Sequence, residues 1–259
     1  MNTLGNIGAI VEKEWRHYFG SPIAYVGLFV WTILFGGFFS LLFTYFVAGS
    51  QQAPQFGGGG LSLNERLIAP VLHNMAVVTL FLTPMLTMRL FAEEKRQGTM
   101  ELLATAPLTV TEIVLGKFLG ALSLYLLMIA AGFLNFYWIW RYALSGPDWK
   151  PVATGALALL LLGGSFIALG LFMSTLTKNQ IVAGSLTFGL LLLIWILGWL
   201  DEPGASPIMQ MLAYLGLVRH TDDLMKGVVD LKDAVFYLSF TVFFLFLAQQ
   251  SVESDRWRA

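Results

Sequence analysis

The chain has few charges and no cysteine, and each absence excludes several classes of protein. Only 12% of the 259 residues are Asp, Glu, Lys or Arg, whereas 57% are hydrophobic and 14% are aromatic. Soluble domains carry about twice that share of charge, so the composition predicts an integral membrane protein. Without cysteine there are no disulfides, thiolate metal ligands or cysteine nucleophiles. A net charge of −1 with no dense basic run predicts no nucleic-acid partner.

The sequence also lacks the usual groups for energy conversion. No charged residue lies in the middle of any predicted span, which disfavours a proton- or ion-coupled secondary carrier. The glycines at 57–60 lack the Lys-Ser/Thr of a P-loop, so they predict a flexible linker and no ATP hydrolysis by that route. The three histidines, at 17, 73 and 220, have no carboxylate at metal-ligand spacing. We therefore expect no catalytic, cofactor-binding or metal site, and we do not expect an enzyme.

Six uncharged stretches are long enough to cross a bilayer, for which about 20 residues suffice. They cover residues 21–64 (apolar to about 47), 67–88, 118–140, 151–177, 179–200 and 234–252. Before them, residues 5–20 place apolar side chains at three- and four-residue spacing opposite charged ones, which predicts an amphipathic interfacial helix. The predicted fold is an all-α integral membrane protein with six transmembrane helices, forming a single transmembrane domain over residues 1–259.

The distribution of basic residues predicts the orientation. With both termini on one side, that side holds nine Lys and Arg residues, against six on the other. The nine are Lys13, Arg16, Arg89, Lys95, Arg96, Lys117, Lys178, Arg256 and Arg258. Because positive charge accumulates in cytoplasmic loops, we expect both termini in the cytoplasm.

The loop between the fifth and sixth spans, residues 201–233, contains two apolar pieces. Residues 208–218 and 224–229 are too short to span and flank the polar residues 219–223. Non-helical backbone inside the bilayer needs shielding by protein, so this pattern predicts a re-entrant helical hairpin. An amphipathic helix on the membrane surface is the alternative.

The longest charge cluster lies between the second and third spans, and we expect it in water beside the membrane. It comprises Arg89, Glu93, Glu94, Lys95, Arg96, Glu101, Glu112 and Lys117. Gly98 breaks the charged run, Thr99 is a candidate cap, and Pro107 ends a short helix at 99–105. Such a short helix is unstable unless it docks on a partner, so the segment is either a docking element or a solvated loop.

After Pro107, local signals start the next helix. Thr109 and Glu112 have the spacing of a capping box. Gly116 and Gly120, four residues apart, permit close contact with another helix.

This cluster resembles the cytoplasmic coupling segment of type-2 ABC exporter permeases. The resemblance rests on EEKR-x-GT-x-ELL at 93–103, Pro107, and IVLGK at 113–117. It implies docking on an ATPase through Glu93, Glu94, Gly98, Thr99, Glu101, Leu102, Leu103 and Pro107. A second cytoplasmic contact is expected at Lys13, Glu14, Arg16 and Tyr18.

Other motifs resemble the permease subunit of gliding-motility-type ABC transporters, the Gld family F subunit. They are KE-x-R-x-YF-x-SPIAYV at 13–26, LTMR-x-FAEE at 86–94, IALGLF at 167–172, LTKNQIV at 176–182 and GVVDLKD at 227–233. The resemblance implies an ATP-driven exporter with a cytoplasmic ABC ATPase dimer, which binds ATP and Mg²⁺, and a second permease chain, identical or related. It often implies a membrane subunit with an extracytoplasmic domain. The alternative is a non-transporting scaffold that anchors an ATPase for mechanical or assembly work.

The absence of cysteine allows a direct test of orientation. In intact cells, an impermeant thiol reagent should label Gly58→Cys, in the loop after the first span. It should not label Gln97→Cys, in the charge cluster between the second and third spans. Labelling after membrane permeabilisation controls for the reactivity of Gln97→Cys. The reverse pattern in intact cells would invert the topology.

Overall fold

The computed structural model describes residues 3–52, 62–100, 107–142, 148–200 and 206–256. Within these residues the protein is helical and has no strand. The α-helices, in chain order, are α1 Thr3–Phe19, α2 Pro22–Gln52, α3 Ala69–Thr87, α4 Ala92–Gln97, α5 Val110–Phe133, α6 Phe136–Tyr142, α7 Trp149–Thr175, α8 Gln180–Leu197, α9 Pro207–Tyr214, α10 Asp222–Met225 and α11 Leu231–Arg256. A π-helical turn, Asn64–Ile68, leads into α3, and 3₁₀ turns cover Gly198–Leu200 and Leu217–Thr221.

Six helical runs are long and apolar enough to cross a membrane, which confirms the predicted fold class and number of spans. They are Pro22–Ser50, Asn64–Gln97, Val110–Arg141, Trp149–Thr175, Gln180–Leu200 and Leu231–Asp255. The second run continues through α4, and the third begins at Val110, before the first residue predicted for that span. These extensions bring most of the charge cluster onto the ends of two spanning helices.

Helix α7 lies at the centre of the bundle and packs against α3, α5, α8 and α11. A Cβ atom on Gly163 of α7 would lie 2.1 Å from the ring of Tyr125 on α5, so glycine is needed for this close approach. The Tyr125 hydroxyl donates to the Leu159 carbonyl at 3.1 Å and hydrogen-bonds the Thr79 hydroxyl at 3.0 Å. Because lipid offers no hydrogen-bond partner, these bonds tie α3, α5 and α7 together inside the bundle.

The N-terminal helix α1 packs directly on the first turns of α5. A Cβ atom on Gly116 would lie 2.6 Å from Cβ of Ile10, and one on Gly120 would lie 2.8 Å from Cβ of Glu14. The close contact predicted for these two glycines is confirmed, and the partner is the amphipathic helix α1. Any side chain at either glycine would push α1 away from α5.

Two short helices, α9 and α10, lie between the fifth and sixth spans, but α10 covers Asp222–Met225 and so begins within the predicted polar connection at 219–223. Their polar connection faces inward, since His220 and Thr221 are buried. The Nδ1 atom of His220 lies 2.7 Å from a carboxylate oxygen of Asp233, and its Nε2 lies 3.0 Å from the Tyr214 carbonyl, to which it donates. How deeply these helices enter a bilayer stays a prediction.

The two ends of the bundle carry different short helices. Helices α1 and α4 lie at the same end as the last turns of α11, where Lys95 pairs with Asp255. We call this the α1 end. The opposite end carries α9 and α10, and we call it the hairpin end.

Candidate functional site

Helix α4 leaves the second span at the α1 end and stops at Gly98. Gly98 has φ of 72°, in the left-handed region that glycine adopts at low cost. The backbone N–H groups of Gly98 and Thr99 both donate to the Glu94 carbonyl, which caps the helix. The break predicted at Gly98 is thereby confirmed.

The short helix predicted at 99–105 falls mostly outside the described residues. Thr99 and Met100 are described and half-buried, whereas Glu101, Leu102 and Leu103 are not. Pro107 is described and exposed. The docking role assigned to these positions stays a prediction.

The start of α5 has the predicted capping box. The Thr109 hydroxyl accepts from the Glu112 N–H at 3.2 Å, and the Glu112 carboxylate accepts from the Thr109 N–H at 2.9 Å. The other Glu112 oxygen accepts from the Asn6 amide at 3.1 Å, which fixes α1 to this cap. The chain therefore returns to the bundle at a well-defined point.

Four charged residues from three helices form an ion cluster, which we call the Lys117 network: Glu14, Glu94 and Lys117, which are buried, and Lys13, which is exposed. The Nζ atom of Lys117, 2% exposed, lies 2.8 Å from Glu14 Oε1 and 3.0 Å from Glu94 Oε1. Lys13 Nζ is 2.8 Å from the same Glu94 oxygen. Lys117 is therefore buried between two carboxylates, and Lys13, whose side chain is 59% exposed, brings the second cation to Glu94 from the protein surface.

Beside this network, Arg89 extends across the ring of Tyr18. The guanidinium carbon lies 4.7 Å from the ring centroid, and one guanidinium nitrogen donates to the Ser21 hydroxyl at 3.1 Å. The Tyr18 hydroxyl donates to the Leu86 carbonyl at 3.0 Å. Burial raises the pKa of Tyr18 well above its usual range, so the hydroxyl keeps the proton that it donates. These contacts fix the end of α1 to the last turn of α3.

The outer side of α4 is also bonded to the bundle. Lys95 donates to the Thr175 carbonyl at the end of α7 and pairs with Asp255 near the end of α11. Glu93 lies 3.1 Å from Nε2 of His17 on α1. Helix α4 is thus bound to α1 and α5 through the carboxylates of Glu93 and Glu94, and to α7 and α11 through Lys95.

The expectation that the whole charge cluster lies in water was wrong for half of its members. Four of the eight are buried in protein: Arg89, Glu94, Glu112 and Lys117. Burial is tolerated because each has a charged, hydroxyl or backbone partner within the protein. Of the second set of predicted contacts, Glu14 and Tyr18 are buried, whereas the side chains of Lys13 and Arg16 are 59% and 80% exposed.

A cleft of about 380 Å³ opens next to the Lys117 network. Its wall includes Lys13, His17, Glu93, Gln97 and Thr99. In the part of the chain that the structure describes, no group of three or more His, Asp or Glu side chains has the geometry of a metal site. The cleft presents charged and hydrogen-bonding side chains at the protein surface.

Sequence reasoning missed the partners of these charges. The positions of Glu14 and Lys117, 103 residues apart, gave no indication that they pair. One signal was present, because Lys117 lies two turns inside a helix after a firm cap, where its ammonium group needs either a path to water or a charged partner. Asp255, the partner of Lys95, carried no such signal.

Removing the central cation should destabilise the protein strongly. Lys117→Met leaves Glu14 and Glu94 buried without their main partner, and breaking a buried pair in this way costs about 3–5 kcal/mol in free energy of unfolding. Reversible unfolding in mixed micelles measures the change. Adding Glu14→Gln to Lys117→Met should recover part of the loss, and Arg16→Met, on an exposed pair, should unfold like wild type. Equal stability of Lys117→Met and Arg16→Met would contradict a stabilising network.

Comparison with known proteins shows which family the chain belongs to. A family model described as ABC-2 family transporter protein matches residues 9–259. Over 167 residues the chain is 28% identical to "Probable multidrug ABC transporter permease YbhR" of Escherichia coli strain K12, and equally to the same-named protein of strain O157:H7. The match covers 62% of this chain, which spans 43% of the length of these curated relatives. The chain therefore belongs to the ABC-2 transporter family and is a multi-pass membrane permease.

Proposed function

We propose that the chain is the permease subunit of an ATP-driven ABC exporter and couples ATP hydrolysis by a separate ATPase to outward movement of substrate. The observation that carries this proposal is the Lys117 network, which fixes α4 to α1 and α5 at the α1 end of the second and third spans. A segment that receives force from a partner needs a rigid base, and this network supplies one.

The geometry of the two caps supports a docking role for the residues between them. The Gly98 cap ends α4, and the Thr109 capping box begins α5, so the connecting segment is anchored at both of its ends. In sequence it contains Glu101 followed by Leu102 and Leu103, an acidic residue next to two large apolar ones. We assign coupling to Glu93, Glu94, Gly98, Thr99, Glu101, Leu102, Leu103 and Pro107.

The proposed movement passes from the ATPase to the spans through α4. A displacement of α4 changes the distances from Glu94 to Lys13 and Lys117, so α1 and α5 must follow or a buried charge loses its partner. On the other side of α4, Lys95 is bonded to the ends of α7 and α11, so these ends are displaced with it. A local shift is therefore passed to four other helices, because a buried ion pair is costly to break.

The basic residues support placing the α1 end in the cytoplasm of a bacterial inner-membrane protein. The side with both termini has nine Lys and Arg residues against six, the bias expected of cytoplasmic loops. ATP and Mg²⁺ then bind the ATPase dimer below this end, and this chain binds neither. Lys13 and Arg16, exposed on α1, form the second contact.

The remaining partners and the substrate class follow from resemblance and composition. We propose a second permease chain, identical or related, and a membrane subunit with an extracytoplasmic domain, as in the gliding-motility-type transporters that the motifs resemble. The name of the Escherichia coli relatives includes "multidrug". Spans rich in Leu, Phe, Met and Gly suit an amphipathic or lipid-like cargo of that kind.

Replacing Leu102 and Leu103 together with Asp should weaken docking strongly without disturbing insertion. The two side chains supply the largest apolar area of the docking segment, and an exposed ion pair from Glu101 contributes at most about 1 kcal/mol. We expect co-purification of the ABC ATPase from host membranes to fall at least about tenfold, as a loss of 1.4 kcal/mol or more requires. Glu101→Ala should have a smaller effect.

The matched control is the replacement of Val228 and Val229 with Asp, since this exposed apolar pair lies at the hairpin end. That variant should keep wild-type ATPase binding. If the Leu102 and Leu103 variant also keeps it, the segment is a solvated loop and the docking assignment is wrong. A complex that hydrolyses ATP but moves no amphipathic dye such as ethidium into inverted vesicles would favour a scaffold that anchors an ATPase.

A further inference from the structure

The turn between α3 and α4 is bonded to a hydroxyl from a distant helix. Ser174, fully buried near the end of α7, accepts hydrogen bonds from the N–H groups of Phe91 and Ala92, each at 3.0 Å. Its own hydroxyl hydrogen is donated to the Met88 carbonyl at 3.1 Å. A serine hydroxyl has one donor and two acceptor positions, so this side chain uses its entire hydrogen-bonding capacity on one turn.

These bonds serve as the N-terminal cap that α4 lacks in its own sequence. The first N–H groups of any helix have no partner within that helix. Phe91, at the cap position of α4, has no side chain that can accept a hydrogen bond. Ser174 supplies the acceptor from α7, which lies 83 residues away in the sequence.

We propose that Ser174 is a positioning residue that transmits movement of α4 to α7 and so to the centre of the bundle. The inference rests on the proposed coupling function and deepens it. The next residue, Thr175, accepts from Lys95 through its carbonyl, so two consecutive residues of α7 bind the two ends of α4. Helix α7 packs against α3, α5, α8 and α11, so it is the helix through which a shift of α4 reaches most of the other spans.

Ser174→Ala tests this role, and Ser165→Ala is the matched control. Ser165 lies on the same helix, is also fully buried, and bonds the Tyr237 carbonyl at 3.3 Å and the Thr241 hydroxyl at 3.2 Å, away from α4. Each variant is purified as the full chain with the ATPase that co-purifies with wild type, and reconstituted in lipid nanodiscs. Amide hydrogen exchange at Phe91 and Ala92 and the kcat and KM for ATP are measured.

For Ser174→Ala we expect exchange at Phe91 and Ala92 to be about tenfold faster, because both N–H groups lose their acceptor. The amount of bound ATPase and the KM for ATP should stay at wild-type values. The increase in kcat that the permease causes, relative to the ATPase alone, should fall severalfold. Ser165→Ala should change neither exchange at these amides nor kcat. If Ser174→Ala does not insert, Ser174→Cys, which keeps a weaker donor and acceptor, should show the same changes to a smaller degree.

Two results would overturn the inference. Equal kcat stimulation in the Ser174 and Ser165 variants, with ATPase bound in both, would show that the cap is structural only and would leave the proposed function intact. Failure of the wild-type chain to bind any ABC ATPase would instead remove the proposed function and the inference with it.

Discussion

The buried cation of Lys117 is the constraint on which the α1 end of this permease depends. An ammonium group that is 2% exposed requires carboxylates close by, and the chain supplies them from two other helices, Glu14 on α1 and Glu94 on α4. Gly116 and Gly120 allow α1 to approach α5 closely enough for the Glu14 contact. The position of the amphipathic helix is therefore set by charge compensation together with apolar packing.

The same arrangement makes α4 a rigid base although it is only six residues long. A helix of this length does not persist by its own hydrogen bonds. Here Ser174 caps the start of α4 and Gly98 caps its end. The Lys117 network binds one face of the helix, and Lys95 binds the ends of α7 and α11. All these contacts lie at one end of the bundle, where the break between the second and third spans occurs. We propose that this rigid break is the base of a coupling segment, because the motifs at 93–117 resemble the coupling segment of type-2 permeases.

The features that the sequence predicted well are those that depend on local signals. Span number follows from apolar length, the Gly98 break from the conformational freedom of glycine, and the α5 start from the Thr109–Glu112 spacing; all three are confirmed. The pairings were not predicted, because they depend on which helices meet in space. Glu14 and Lys117 are 103 residues apart, and His73 and Asp222, whose Nε2 and carboxylate oxygen lie 2.8 Å apart, are 149 apart. Burial of Arg89 and Lys117 was missed for the same reason, since a charge reads as solvated until its partner is known.

A structure of the complex tests the central claim most directly. We would determine, by cryo-electron microscopy in lipid nanodiscs without nucleotide, the full chain together with the ABC ATPase that co-purifies with it. The account predicts that residues 99–107 contact the ATPase at the α1 end, with Lys117 still bonded to Glu14 and Glu94. An ATPase that binds elsewhere, or contacts this end while residues 99–107 remain in solvent, would contradict it.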